Sequence, residues 1–433
     1  MTFLNPTPSV FTSNLVTNSP LSLDFFGPLL SVLSTASNQR TCHQLTDQSW
    51  LFIGTRRALE THPSGRGFLQ HLISQGLDAP NQSHFFETLK SERRLALTQE
   101  VSQGVASLLQ APSNHGLAQS SELNGFDLYA GDGHYHAAAA HDPRHPEGEI
   151  KYATGHFFSL NLRTHALCHL SVADQVSRKK EHDMRALKRM DIATLRQGAP
   201  KGRKVLHVWD RAGIDFRQWY RWKHGSGIYF LSRVKENMTL EVIGQRPVDY
   251  TDPRNQGVIA DEIVSTSQGV SVRKITYHCV LSGRTFEFIT NEESLPPGLL
   301  AHLYRIRWDI EKTFDELKNK LEETKAWGSS ATAKTMQAHF LCLAHNLMIL
   351  FEQSLEKIHG IRNEAEIARK DRRLESERIR LAKESQMIPT LYYSLQRITQ
   401  RSLKFIRWLR VQLFSNSVTG DPIDALRRLF AFL

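Results

Sequence analysis

Cysteine is scarce and scattered, with four in 433 residues at Cys42, Cys168, Cys279 and Cys342. Such a set excludes a disulfide scaffold and lacks the paired spacing of a zinc site, so a reducing interior is the expected compartment. No Lys or Arg precedes Arg40, which leaves out the basic start of a secretory signal and the arginines of a transit peptide. Long apolar runs are also missing. The longest, near Phe340 to Phe351, contains His345 and Asn346 and is too short to span a bilayer. The expectation is a soluble, cytoplasmic protein with no membrane partner.

What is present is positive charge. A formal net charge of +10 and a pI near 9.4 favour a polyanionic partner, since basic patches neutralise phosphates and release counterions. At this length the chain can bury a substantial core and divide into several units. Residues 1–115 begin as an arm rich in Ser, Thr, Asn and Pro, loosely ordered to about residue 38, and continue as helices. One helix is expected over Ser83 to Leu109 with Ser83 as its cap. This region is expected to form a helical domain that contacts DNA.

From Gly125 the period changes. FDLYAGDG, HFFSLNLR and HALCHLSVA read as three strands, followed by helical text from Lys179 to Gln197. The buried strand KVLHVWD, a helix over Phe216 to Lys223 and the strand IYFLSRV come next. That order predicts a mixed sheet with helices on its faces over 116–235. Residues 236–297 read as a β-rich insertion, 298–355 as the second part of the core, and 356–433 as a helical C-terminal region.

The most informative stretch is YRIRWDIEKTFDELK, Tyr304 to Lys318. On one continuous helix Tyr304, Arg307, Glu311 and Lys318 fall within an arc of roughly 60°. Leu303, Ile306, Ile310, Phe314, Leu317 and Leu321 form the adjacent apolar stripe. A carboxylate flanked by two cations and a phenol suits a metal beside a phosphate, and equally describes a solvated face with neighbouring ion pairs. Two aspartates sit where strands end, Asp132 in YAGDGH and Asp210 in HVWDRAG. Strand ends in an open sheet are where ligands usually bind, although each aspartate alone reads as readily as a turn or cap residue. Together with Glu311 they make a carboxylate set suited to hard divalent cations.

At these residues the sequence resembles the DDE insertion-sequence transposases that carry the signature Tyr-x2-Arg-x3-Glu-x6-Lys, the insertion-sequence-four family. Tyr304, Arg307, Glu311 and Lys318 match that spacing without a gap, and the resemblance reaches back to DRAGID at Asp210 and DG at Asp132. His134 stands where the family often has a small hydroxyl residue. The resemblance is good from about Gly125 to Leu350, faint over the N-terminal helices and poor after Glu356. It implies a ribonuclease-H-like core interrupted by the β insertion and a cut-and-paste reaction on the terminal inverted repeats of a mobile element. Asp132, Asp210 and Glu311 would hold two Mg²⁺ ions, with Mn²⁺ as a substitute. Tyr304, Arg307 and Lys318 would grip phosphates. The partners implied are double-stranded DNA, as transposon ends and target, and a second copy of the chain in a synaptic homodimer, at the bacterial nucleoid.

Other readings stand beside this one. Arg211 could reach a phosphate or orient Asp210 as an ion pair. Tyr250 and Tyr277 are aromatics of the insertion available to stack on a base, and neither is assigned. His134, His136, His141, Asp142 and His145 superficially suggest a zinc hydrolase. A catalytically inactive DNA-binding relative would share the same sequence features. In the tail, Leu391, Leu395, Ile398, Ser402, Phe405 and Leu409 recur at helical spacing, while Arg397, Arg401, Lys404, Arg407 and Arg410 supply charge without an acid from Leu391 to Phe414. That stripe is expected to pack against a second copy.

Overall fold

The computed structural model describes residues 15–16, 19–42, 44–60, 62, 64–111, 116–142, 154–173, 181–321, 325–389, 391, 400–415 and 420–431. Five helices come first: α1 (Pro20–Leu33), α2 (Asp47–Leu59), α3 (Gly65–Ser74), α4 (Gln82–Thr88) and α5 (Glu92–Leu108). Each start is set by a short polar side chain that accepts from a free first-turn N–H: Ser19, Thr46, Ser64, Asn81 and Ser91. Two expectations change here. Residues 20–33 are a packed helix, with Phe25, Phe26 and Leu29 buried, where a loose arm was anticipated. The helix expected from Ser83 is two helices, because Ser91 starts a new one and Asn81 caps the first.

The sheet follows. Its strands are β1 (Phe126–His136), β2 (Thr154–Asn161), β3 (Leu167–Val172), β4 (Lys204–Val208), β5 (Ile228–Arg233), β6 (Leu240–Gln245), β7 (Val258–Thr266), β8 (Ser271–Cys279) and β9 (Arg284–Thr290). Helices α6 (Asp183–Arg189), α7 (Ile192–Arg196) and α8 (Phe216–Ser226) lie between β3 and β5 in sequence. The strands form one mixed sheet in the order β3-β2-β1-β4-β5-β9-β8-β7-β6. β1, β4 and β5 run parallel; the remaining pairings are antiparallel. The β-rich insertion therefore extends the same sheet, joined where Leu231 of β5 pairs with Thr290 of β9.

Each face has its own core. Along β5, Ile228 and Phe230 enter a layer with Trp209, Trp219, Trp222 and the residues of α6 and α7. Leu231, with Leu206, Val208, Leu128 and Ala130, enters the other, larger layer. That layer is covered by α9 (Pro297–Ile306), α10 (Trp308–Asn319) and α11 (Ala331–His359). It runs without a break into α1 to α5. Trp50 of α2 meets Phe340 of α11 edge to face at 5.7 Å, and α2 comes so close that a Cβ on Gly54 would sit 2.0 Å from the Phe340 ring. Each such large apolar side chain contributes about 1.5–3 kcal/mol on burial.

Among the described residues of the C-terminal region are the helices α12 (Glu364–Ala382), α13 (Leu403–Phe414) and α14 (Pro422–Ala431). The apolar stripe of α13 is covered by the chain itself. Phe405 and Leu409 are buried, Phe405 stacks on Phe430 at 5.7 Å, and Trp408 stacks on Phe351 of α11 at 6.3 Å. Leu395, Ile398 and Arg397 lie outside the described residues. Arg410 donates to the Leu59 carbonyl, and Arg401 is buried, not part of a basic surface.

Arg401 binds α10 to this tail. Its Nη1 donates to Glu316 Oε1 at 2.6 Å, its backbone N–H to Glu316 Oε2 at 2.7 Å, and its Nη2 to Glu352 Oε2 at 2.7 Å. Burial alone would raise the Glu316 carboxyl, but the Arg401 guanidinium and its hydrogen bonds, with His345 nearby, hold it below its ordinary value. A carboxyl depressed in the folded state stabilises the fold above its unfolded pKa and loses that contribution as pH falls through the folded one. Arg401→Ala is expected to cost about 3–5 kcal/mol, because it leaves Glu316 buried and unpaired. Thermal melts from pH 7 to pH 3 should show wild type losing stability in the acid range, and Glu316→Gln should lack that component. Parallel curves for the two proteins would refute the assignment.

Candidate active site

Pairing between β1 and β4 sets two aspartates side by side. Ala130 lies opposite Val208 in the parallel ladder, so Asp132 and Asp210 each stand two residues further on, on adjacent strands about 4.8 Å apart. Asp210 lies just past the end of β4, but Asp132 does not end its strand as expected: β1 runs on to His136, because Asp132 to His136 keep pairing with β2 after β4 has ended. Asp132 Oδ1 accepts from the Gly133 N–H at 2.8 Å. Asp210 Oδ1 accepts from the Ala212 N–H at 2.7 Å, and its carbonyl accepts from the Ser232 hydroxyl at 2.8 Å. Asp210 is therefore oriented by backbone and by β5. Among the described residues no ion pair joins it to Arg211, which begins the following 3₁₀ turn.

The third carboxylate arrives on α10. The expected single helix from Tyr304 to Lys318 is divided at Arg307, between α9 and α10. Arg307 keeps helical torsions, φ −49° and ψ −34°, so the phase of the polar face survives the junction. Arg307 Nη2 donates to Glu311 Oε1 at 2.6 Å, and Nη1 lies 3.7 Å from Asp132 Oδ2. One guanidinium thus spans two of the three acids. His134 of β1 and Phe314 of α10 pack with ring centroids 4.9 Å apart, pressing the helix onto the strand.

Burial pushes the Asp132 carboxyl up to about 7, and the neighbouring charges of Asp210 and Asp183 push the same way, while Arg307 pulls it down. Asp183 has no sequence motif to announce it. It opens α6, and its Oδ2 accepts from the Trp209 indole N–H at 2.7 Å. Arg233 was also missed. It ends β5, the third parallel strand, and burial lowers its pKa, as do Arg211 and Arg307 nearby. The strand-end rule that finds Asp210 would have found it. Carboxylates crowded in this way gain from a divalent cation, and an all-oxygen donor set suits Mg²⁺ or Mn²⁺. Among the described residues the oxygens of Asp132, Asp210 and Glu311 do not all lie within 4.8 Å of one another. The group that meets this distance is Glu60, His62 and His71, elsewhere in the fold.

Tyr304 is packed 5.1 Å from Phe288 and 5.5 Å from the Arg307 guanidinium. Its hydroxyl pKa is raised chiefly by burial. Lys318 is exposed at the far end of α10. Beside Tyr304 and Arg307 opens a cavity of about 600 Å³, reached also by Arg233, Trp308, Lys370 and Arg373. Tyr277 borders it but is buried, with its hydroxyl 3.4 Å from His302 Nε2; Tyr250 is 67% exposed and does not line the cavity.

Of the residues in the zinc reading, those described are not gathered into one site. His134 is in the sheet–helix seam, and Asp142 is committed to Lys334 at 3.0 Å and to the Ala139 N–H at 2.7 Å. His141 is exposed. His145 and the side chain of His136 lie outside what is described. The cysteines are all free. Among the described residues no helix is long and apolar enough to cross a membrane.

Residues 124–347, just over half of the chain, match a family model described as "Transposase DDE domain". A Sinorhizobium fredii protein named "Putative transposase y4zB" is 29% identical over 150 residues, covering 33% of this chain and 42% of the relative. The match thus spans less than half of that relative's length.

The Trp209 ring passes directly beneath β1. A Cβ on Gly131 would lie 1.8 Å from Trp209 Cζ3, an overlap that only repacking could relieve. Gly131→Ala is expected to destabilise the protein by about 1–3 kcal/mol, read as a lowered midpoint in denaturant, and to disturb the adjacent Asp132. A variant as stable as wild type would show that the ring is not fixed there.

Proposed function

Because this chain belongs to the transposase DDE domain family, we propose that it is a DNA transposase. In this reading it binds the terminal inverted repeats of its own insertion sequence, cleaves them with a divalent metal and joins the freed 3′ ends to target DNA. The observation that carries the reading is the register that places Asp132 beside Asp210, with Glu311 brought to them on α10 and held by Arg307. Supporting a ribonuclease-H-like core are the antiparallel β3-β2-β1 order and the parallel β1-β4-β5 order. The full Tyr-x2-Arg-x3-Glu-x6-Lys signature supports placement in the insertion-sequence-four family.

Asp132, Asp210 and Glu311 would hold Mg²⁺, or Mn²⁺ in its place, which when bound polarises water or a 3′ hydroxyl and neutralises charge at phosphorus. The chain's own groups do the positioning. Arg307 is buried and shared between Asp132 and Glu311, so it sets their separation before it can offer anything to a phosphate. Lys318 is exposed and suited to a direct backbone contact. Arg211, with no carboxylate partner among the described residues, suits a phosphate next to Asp210. Tyr304 can donate its hydroxyl proton to a phosphate oxygen from the same face. The net charge of +10 supports a polyanionic partner; with DNA as that partner, the protein would work at the bacterial nucleoid. Synapsis of two ends calls for two copies. Since the α13 stripe is covered within the chain, the homodimer contact is proposed to lie elsewhere.

The test is incubation with Mg²⁺ and DNA from the flanks of its own gene. Asp132→Asn, Asp210→Asn and Glu311→Gln should each retain end binding and lose cleavage by more than about 100-fold, the equivalent of several kcal/mol of lost charge stabilisation. EDTA should stop the reaction, and Mn²⁺ should restore it. Binding without cleavage in either metal would identify a catalytically inactive relative.

A salt titration addresses the cations separately. Lys318→Ala should reduce the slope of log affinity against log salt by about one. An unchanged slope would remove Lys318 from the DNA contact.

A further inference from the structure

We propose that Asp183 is a fourth carboxylate of the Asp132–Asp210–Glu311 site, where it fixes Asp132 and Asp210 through Trp209 and adds its charge to their hold on a divalent cation. The inference rests on the site reading above and extends it to a residue outside the signature.

Three observations lead there. The first is mechanical. Trp209 immediately precedes Asp210, its ring runs under Gly131 next to Asp132 and against Gly213 beyond Asp210, and its indole N–H is fixed by Asp183 Oδ2 at 2.7 Å. Both glycines are needed, since a Cβ at Gly213 would lie 2.6 Å from Trp209 Cδ1. The ring is thus a spacer between Gly131, next to Asp132, and Gly213, beyond Asp210, and Asp183 is the polar anchor that fixes its orientation in an otherwise apolar layer.

The second observation is charge balance. Glu181, two residues earlier, is paired with Arg189 at 2.8 Å, and Asp215 with Lys188. Among the described residues Asp183 has no Lys or Arg within ion-pair distance. The third is its direction of influence: Asp183 interacts electrostatically with both Asp132 and Asp210. An indole N–H needs only a neutral acceptor, which Asn or Gln would supply. A carboxyl group kept near two other acids gains when a cation is held among them. An anionic anchor without its own cation raises the field at the strand ends and leaves room for an ion to satisfy it.

Asp183→Asn preserves the acceptor for Trp209 and removes the charge, whereas Trp209→Phe keeps an aromatic side chain but shortens the spacer and removes the tether. Mn²⁺ binding to the full chain is measured by calorimetry, beside the Mg²⁺ concentration for half-maximal cleavage and the melting temperature. Removing one charge at this range should weaken Mn²⁺ binding and raise the Mg²⁺ requirement by about fivefold, with the melting temperature unchanged. Trp209→Phe should keep the Mn²⁺ affinity closer to wild type and slow cleavage at saturating Mg²⁺. If Asp183→Asn lowers the melting temperature, Asp183→Glu decides: recovery of Mn²⁺ affinity supports the proposal, and no recovery overturns it. Wild-type affinity and Mg²⁺ requirement in Asp183→Asn also overturn it while leaving the three-carboxylate reading intact. A wild-type chain that binds no Mn²⁺ overturns both.

Discussion

Parallel pairing of β1 with β4 is the constraint on which the rest of the structure depends. A ladder that sets Ala130 against Val208 leaves no freedom in where Asp132 and Asp210 emerge. Two carboxylates placed so close repel, and Arg307 offsets only part of that cost. The sheet bears the rest, through hydrogen bonds and through two apolar layers that would have to be disrupted before the strand ends could part. The same logic governs α10. Glu311 is brought in because Phe314 packs against His134 and because Glu316, one turn further, is anchored to Arg401. The acids are therefore held by packing remote from them, which is how a fold can maintain an electrostatically unfavourable cluster.

Arg307 moderates that cluster. As the cation shared by Asp132 and Glu311 it lowers the cost of their proximity, and its place at the junction of α9 and α10 lets it reach both. The result is asymmetric. Asp132 and Glu311 have a cation in common, while Asp210 and Asp183 have none within ion-pair distance among the described residues. The cluster retains excess negative charge on its Asp210 side, and Arg211 and Arg233 approach from beyond the strand ends without pairing to it.

Much of this was legible in the chain. β4 and β5 are hydrophobic runs that lead to a charged residue, a pattern that buried parallel strands produce and that survives in a single sequence, whereas Asp132 lies inside β1. The signature helix was legible because its polar residues share one phase, and the two-helix outcome left that phase intact. What escaped notice was set by distant partners. Asp183 and Arg233 are single charged residues with no spacing to mark them, and only the fold brings them to Asp210. The break between α4 and α5 was hidden because Ser83 and Ser91 are equally good caps by type. The α13 stripe was visible, but its partner was not, since an apolar face carries no record of whether Phe351 of the same chain or another copy will cover it. The joining of β5 to β9 is a long-range pairing that local pattern cannot specify.

The close seam between α2 and α11 carries a geometric consequence. Gly54 lets the N-terminal helices lie directly on Phe340, and α11 runs unbroken from there past β3, so these helices and the carboxylates of the site belong to one continuous packed body. A surface on α1 to α5 that recognised a DNA sequence could not swing relative to Asp132. The number of base pairs between the recognised sequence and the cut would then be measured by the length of a helix, as with a ruler. A single bulky side chain at residue 54 would shift the scale.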